Sequence, residues 1–156
     1  MSEQQTIREL VEGAVQREIN AQNAYSGLVE RANNDAAKEA LRGMVKQEKD
    51  HQKILEKYLR GEIDGGKLGE SEAADYKIAE RFEQSAVTPD MELKDIFLMA
   101  AGREKSSHEF YIQLSEAHPE GEVKNVLERI AAEELGHKHK MELLYNEVAF
   151  PQTASG

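Results

Sequence analysis

The stretch AAEELGHKHKMELLY, residues 131–145, decides the fold. Ile130, Met141 and Leu144 mark the buried line of a helix, because residues three and four apart share one helical face. Glu134 and His137 fall on that same line. A lone carboxylate and imidazole in an apolar core would suffer a large desolvation cost, so something elsewhere in the chain must meet them.

A repeat supplies it. The two halves align without a gap at an offset of 86 residues. Ala14 pairs with Ala100, Glu18 with Glu104, Tyr25 with Tyr111 and Leu28 with Leu114. Further on, Leu41 pairs with Leu127, Glu48 with Glu134 and His51 with His137, so QEKDH (47–51) returns as EELGH (133–137). The chain reads as two copies of one helix hairpin.

Apolar and small residues spaced by threes and fours predict four helices, at about 5–32, 35–60, 89–117 and 120–148. Asp35 is a candidate cap for the second, and Thr88 with Pro89 in TPDMELKD mark the start of the third. Short links after the first and third helices imply antiparallel hairpins. The second and third are separated by residues 61–88, which open on the glycine-rich GEIDGGKLGESE and hold a candidate short helix, EAADYKIAERFEQS. An up-down-up-down bundle seldom needs so long a link, whereas a crossover along the bundle does. The expectation is one all-α domain over residues 1–150.

Composition narrows the function. Asp and Glu number 30 against 20 Lys and Arg, a formal charge of -10. No basic block offers a nucleic-acid or anionic-membrane surface. Absence of cysteine excludes disulfides, thiolate catalysis and iron–sulfur ligation by this chain. The N-terminus lacks the pattern of a signal peptide, and no apolar run is long enough to span a membrane. A cytoplasmic protein is expected.

Four in-line glutamates (Glu18, Glu48, Glu104, Glu134) and two in-line histidines (His51, His137) would share the core. Ionised together without cations, the carboxylates would repel one another and lose their hydration. A buried salt-bridge network would need Lys or Arg on the same lines, and none is there. Two divalent metals would balance the four carboxylates, and an O/N donor set suits iron or manganese. A Glu from each of two helices and Glu-x-x-His from each of the other two is the donor pattern of di-iron carboxylate bundles. Tyr25 and Tyr111, two turns beyond Glu18 and Glu104, are candidates for hydrogen bonds to ligating glutamates. Asp50, Glu133 and His139 are read as solvated, and His118 beside Pro119 as part of a turn.

The segments EINAQNAY, QEKDHQKI, REKSSHEFY and EELGHKHK resemble the ferritin-like di-iron superfamily, in its rubrerythrin-like branch, over roughly residues 5 to 148. The resemblance implies a left-handed four-helix bundle and a di-iron site made by Glu18, Glu48, His51, Glu104, Glu134 and His137. Glu18, Glu48, Glu104 and Glu134 would be the catalytic carboxylates. It implies reduction of hydrogen peroxide or O2, with ferroxidase activity in iron storage, or a metal-stabilised module with little turnover, as alternatives. Two iron ions are the expected cofactor, with manganese or a mixed pair open. A homodimer is the default assembly, and a higher oligomer stays open. Two departures stand out. Rubrerythrins proper usually append a cysteine-ligated electron-transfer domain, so a peroxidase of this kind would need a separate donor. Members also often carry a further Glu one turn after the third-helix ligand, where this chain has Ser107. His108 lies one residue further, off the inner line.

Overall fold

Local sequence sets several helix ends in the computed structural model, which describes residues 6–32, 34–63 and 92–150. Helix α1 spans Ile7–Arg31, α2 Asp35–Leu59, α3 Leu93–Glu116 and α4 Glu122–Ala149. The Thr6 hydroxyl opens α1 by accepting from the Glu9 backbone N–H at 3.1 Å. For α2 the cap is Asn34, whose Oδ1 accepts from Ala37 N–H at 2.8 Å, and Asp35 is the first helical residue. The sequence expectation was therefore one residue late. Either side chain can serve, but the observed cap reaches the orphan amide three residues on.

Helix α3 begins at Leu93 rather than at 89, with Glu92 extended before it. Thr88 and Pro89, like the candidate short helix of the crossover, lie outside the described residues. Helix α2 closes on Gly61, whose φ of 72° favours a residue without a Cβ. Gly61 N–H bonds to Tyr58 C=O and Glu62 N–H to Lys57 C=O, both at 2.9 Å, the two bonds of a Schellman end.

The helices pack as two hairpins, α1 against α2 and α3 against α4, with α2 also meeting α4. Two apolar layers result. One gathers Ile7, Leu10, Val11 and Ala14 with Leu55, Tyr58, Phe110, Leu114, Leu127 and Ile130. The other gathers Ala21, Tyr25 and Leu28 with Leu41, Met44, Phe97, Ala100, Met141 and Leu144. On α1 the layers part between Ala14 and Ala21, on α2 between Met44 and Leu55, and on α4 between Ala131 and Met141. Glu18, Glu48, His51, Glu134 and His137 fall in those gaps, and Glu104 takes the same place on α3 between Ala101 and Phe110. No helix among the described residues is long and apolar enough to cross a membrane.

Candidate metal centre

All six of these polar side chains are at most 3 % exposed. Their ligand atoms form two overlapping groups: Glu18, Glu48, His51 and Glu134; and Glu48, Glu104, Glu134 and His137. Within each group one atom per residue lies within 4.8 Å of all the others. Glu48 and Glu134 are the two carboxylates common to the groups.

The geometry obeys the sequence repeat. His51 Nδ1 lies 2.9 Å from Glu134 Oε1, and His137 Nδ1 lies 2.9 Å from Glu48 Oε1. His51 Nδ1 is 3.6 Å from Glu18, and His137 Nδ1 is 3.7 Å from Glu104. Tyr25 O–H donates to Glu104 at 2.5 Å, and Tyr111 O–H donates to Glu18 at 2.6 Å. Each tyrosine thus holds the glutamate contributed by the other hairpin.

Electrostatics set the protons. Burial pushes the Glu48 carboxyl well above the usual range, helped by hydrogen bonding to Glu18 and the charge of Glu104. Burial does the same to Glu134, reinforced by the charges of Glu104, Glu48 and Glu18. For Glu104 burial acts in the same direction but is outweighed by the close approach of Glu134 and His137 and by the Tyr25 hydroxyl, which hold it low. Burial acts to lower His51 but is overcome by the surrounding carboxylates of Glu18, Glu48 and Glu133, which raise it. Without cations, then, the cage shares protons among carboxylates that cannot all ionise. Burial and the adjoining glutamate charges also raise Tyr25 and Tyr111 well above their ordinary value, so both phenols stay protonated donors.

Glu18 Oε2, Glu48 Oε1, His51 Nδ1, Glu104 Oε2, Glu134 Oε1 and His137 Nδ1 are buried without a hydrogen bond. The 2.9 Å His–Glu approaches bring atoms together without the alignment of a hydrogen bond. Buried polar atoms are seldom left so. One orphan from each of six residues, converging on a single place, is what a set of metal donors looks like, and O and N donors fit iron or manganese.

A model of the rubrerythrin family matches residues 9–145. The chain belongs to the rubrerythrin family. This rubrerythrin-family chain also shares its fold with two solved structures. A hypothetical protein from Pyrococcus furiosus is 24% identical, with a TM-score of 0.75 over 95% of this chain and 93% of that one. A protein from Thermotoga maritima, described as a ferritin-like diiron-carboxylate protein, is 20% identical, with a TM-score of 0.71 over 95% and 99%. No curated protein matches it significantly in sequence.

Several residues differ from the sequence expectation. Glu133 is not simply solvated: its carboxylate lies 3.4 Å from His51 Nε2. Gln47 Oε1 takes the Nε2 side of His137. Cations do approach the site, since Arg17 and Arg103 line a small cavity with Glu18, Glu48, Glu104 and Ser107. Burial lowers the Arg17 guanidinium to about 10. Both pairs were available from the repeat, because Gln47 and Glu133, like Arg17 and Arg103, are 86 apart. His118 is more than part of a turn. It is buried, its Nδ1–H donates to Leu114 C=O at 2.7 Å, and its Nε2 accepts from Tyr58 O–H. No spacing links Tyr58 to His118, so the sequence carried no signal for it. Asp50 and His139 are exposed as expected. His108 stands outside both ligand groups, bonded through Nδ1 to Ala131 C=O at 2.6 Å.

Proposed function

We propose that the chain is a non-haem di-iron oxidoreductase that reduces hydrogen peroxide, or O2, at a site held by Glu18, Glu48, His51, Glu104, Glu134 and His137. The observation that carries the reading is the pair of overlapping donor groups sharing Glu48 and Glu134. When bound, a pair of irons supplies two electrons together, which suits an oxidant that must avoid a one-electron radical product.

The protein's own groups prepare the site. Tyr25 and Tyr111 fix Glu104 and Glu18 by charge-assisted hydrogen bonds, so these carboxylates meet the metals already oriented. Glu48 and Glu134 surrender their protons as cations enter. The apolar layers above and below exclude water. The cavity beside Glu18 and Glu104 holds about 10 Å³, room for one water-sized molecule.

Ser107 supports a second reading, a ferroxidase or iron-handling protein. It lines that cavity where many relatives are expected to offer a carboxylate, so no extra ligand is at hand for an iron to shift towards. As a peroxidase the chain would draw electrons from a separate donor, because it has no cysteine to hold an electron-transfer iron of its own. A homodimer is proposed as well, and the exposed Leu98, Leu143, Val148 and Phe150 on the α3–α4 hairpin offer apolar surface for it.

The test loads the protein with Fe(II) without oxygen and mixes it rapidly with H2O2 or O2 in parallel, following diferric absorbance. Faster oxidation by peroxide supports the peroxidase. Equal or faster oxidation by O2, with iron leaving the site, supports the ferroxidase. No diferric absorbance with either oxidant would reject the redox reading.

A further inference from the structure

The repeat makes the two halves of the cage nearly interchangeable, and a charged exception lies behind the imidazoles. Each histidine turns Nδ1 into the cage and Nε2 outward. Behind His51 stands the Glu133 carboxylate, with Oε1 3.4 Å from Nε2. Behind His137 stands the Gln47 carboxamide, its Oε1 hydrogen-bonded to Nε2. Gln47 and Glu133 are repeat partners, 86 residues apart, each immediately before a cage glutamate and each reaching the histidine of the other hairpin. The cage residues themselves are identical in the two halves, Glu for Glu and His for His, as are the paired tyrosines. The charge behind the imidazole differs.

Resting on the reading of the cage as a two-metal site, we propose that Glu133 and Gln47 make the two metal positions unequal, with the position served by His51 the tighter. A carboxylate accepting from the outer N–H makes the inner nitrogen a stronger donor, whereas a neutral amide does so less. The two act through imidazoles and touch no metal, so they are positioning residues. Glu133 is 30% exposed and opens on a surface groove lined by Gln47, Asp50, Lys53 and Arg129. Solvent screens part of its charge. The long 3.4 Å separation weakens the bond further. Replacements in this outer shell alter metal affinity by about ten- to a hundredfold, and both features place the effect here at the lower end, about tenfold.

The experiment titrates metal-free protein with Co(II) and reads the stepwise affinities from visible absorbance, with Mössbauer spectra of the Fe(II)-loaded protein as a second readout. Wild type should bind two Co(II) in steps separated beyond the statistical ratio of identical sites, and show two unequal iron doublets. Glu133→Gln should weaken the first step about tenfold, and Gln47→Glu should strengthen the second. Either variant has like groups behind both histidines, so each should narrow the separation and draw the doublets together. The double variant, with the groups exchanged, should restore both splittings. A merely structural role for Glu133 predicts no such restoration. Two Co(II) bound with equal affinity in wild type, or a separation unmoved by the single variants, would overturn the inference while leaving the metal site standing. Failure of wild type to bind Co(II) at all would overturn the metal reading, and this inference with it.

Discussion

The Tyr111 hydroxyl on α3 donates a 2.6 Å hydrogen bond to Glu18 on α1, and the Tyr25 hydroxyl on α1 returns the favour to Glu104 on α3 at 2.5 Å. These reciprocal bonds tie the two hairpins together at the cage, where the apolar layers are interrupted. Hydrogen bonds to charged groups contribute about 1.5–3 kcal/mol. Tyr25→Phe and Tyr111→Phe should each destabilise the metal-loaded protein by about that much, with the phenyl ring still filling its apolar site. Denaturant unfolding of the two variants checks this. Unchanged midpoints would mean that the phenols serve packing alone.

The cage residues should not be equivalent on removal. Glu48 and Glu134 belong to both donor groups, whereas His51 and His137 belong to one each. Glu48→Gln or Glu134→Gln should therefore weaken both metal positions. His51→Ala or His137→Ala should abolish one and leave the other measurable. Equilibrium dialysis against Fe(II) without oxygen distinguishes the two patterns, and identical losses in all four variants would contradict the shared role of Glu48 and Glu134.

Metal loading should invert the response to pH. Glu48, Glu134 and His51 have raised values in the metal-free fold. Their protonated forms are favoured on folding, so the stability they contribute is fully present below their unfolded values and is lost as pH rises through the raised ones. Metal binding needs these groups deprotonated and strengthens as pH rises. His118, whose value is lowered by burial, contributes stability that is lost as pH falls, but equally in both forms. The difference in Tm between loaded and metal-free protein should widen as pH rises through the raised values of these groups. A difference that stays constant or shrinks would contradict the proton-sharing cage.

The Tyr58–His118 contact provides a control away from the cage. Burial raises Tyr58 to about 12 and lowers His118, so a neutral imidazole faces a protonated phenol. Tyr58→Phe leaves the buried Nε2 of His118 without its donor and should cost about 1–3 kcal/mol. Iron stoichiometry should be unchanged, and its loss would show that this end of the bundle is coupled to the site.

Most of the architecture was legible because the chain is periodic. Core residues such as Ala14, Leu41, Leu127 and Met141 repeat on the helical period and are buried, and in-line Glu and His announced a polar cluster by violating that period. Helix starts were less legible. Asn34 and Asp35 are both competent caps, and only the backbone path chooses between them. The contacts of Glu133, Gln47 and Arg17 depend on which neighbouring helix each long side chain reaches, which spacing along one helix does not encode. The repeat was the signal that could have found them, since any residue beside a cage glutamate has a counterpart in the other half. His118 had no counterpart in register, and its partner Tyr58 became visible with the packing of the α3–α4 link against the end of α2.

The central claim is that the cage between the two apolar layers holds a pair of metal ions. Crystals grown from Fe(II)-loaded protein, measured on either side of the iron absorption edge, test it most directly. The account predicts two anomalous peaks inside the cage, one beside Nδ1 of His51 and one beside Nδ1 of His137, with Glu48 and Glu134 reaching both. A single peak, or iron bound elsewhere while the six side chains stay bonded to one another, would contradict it.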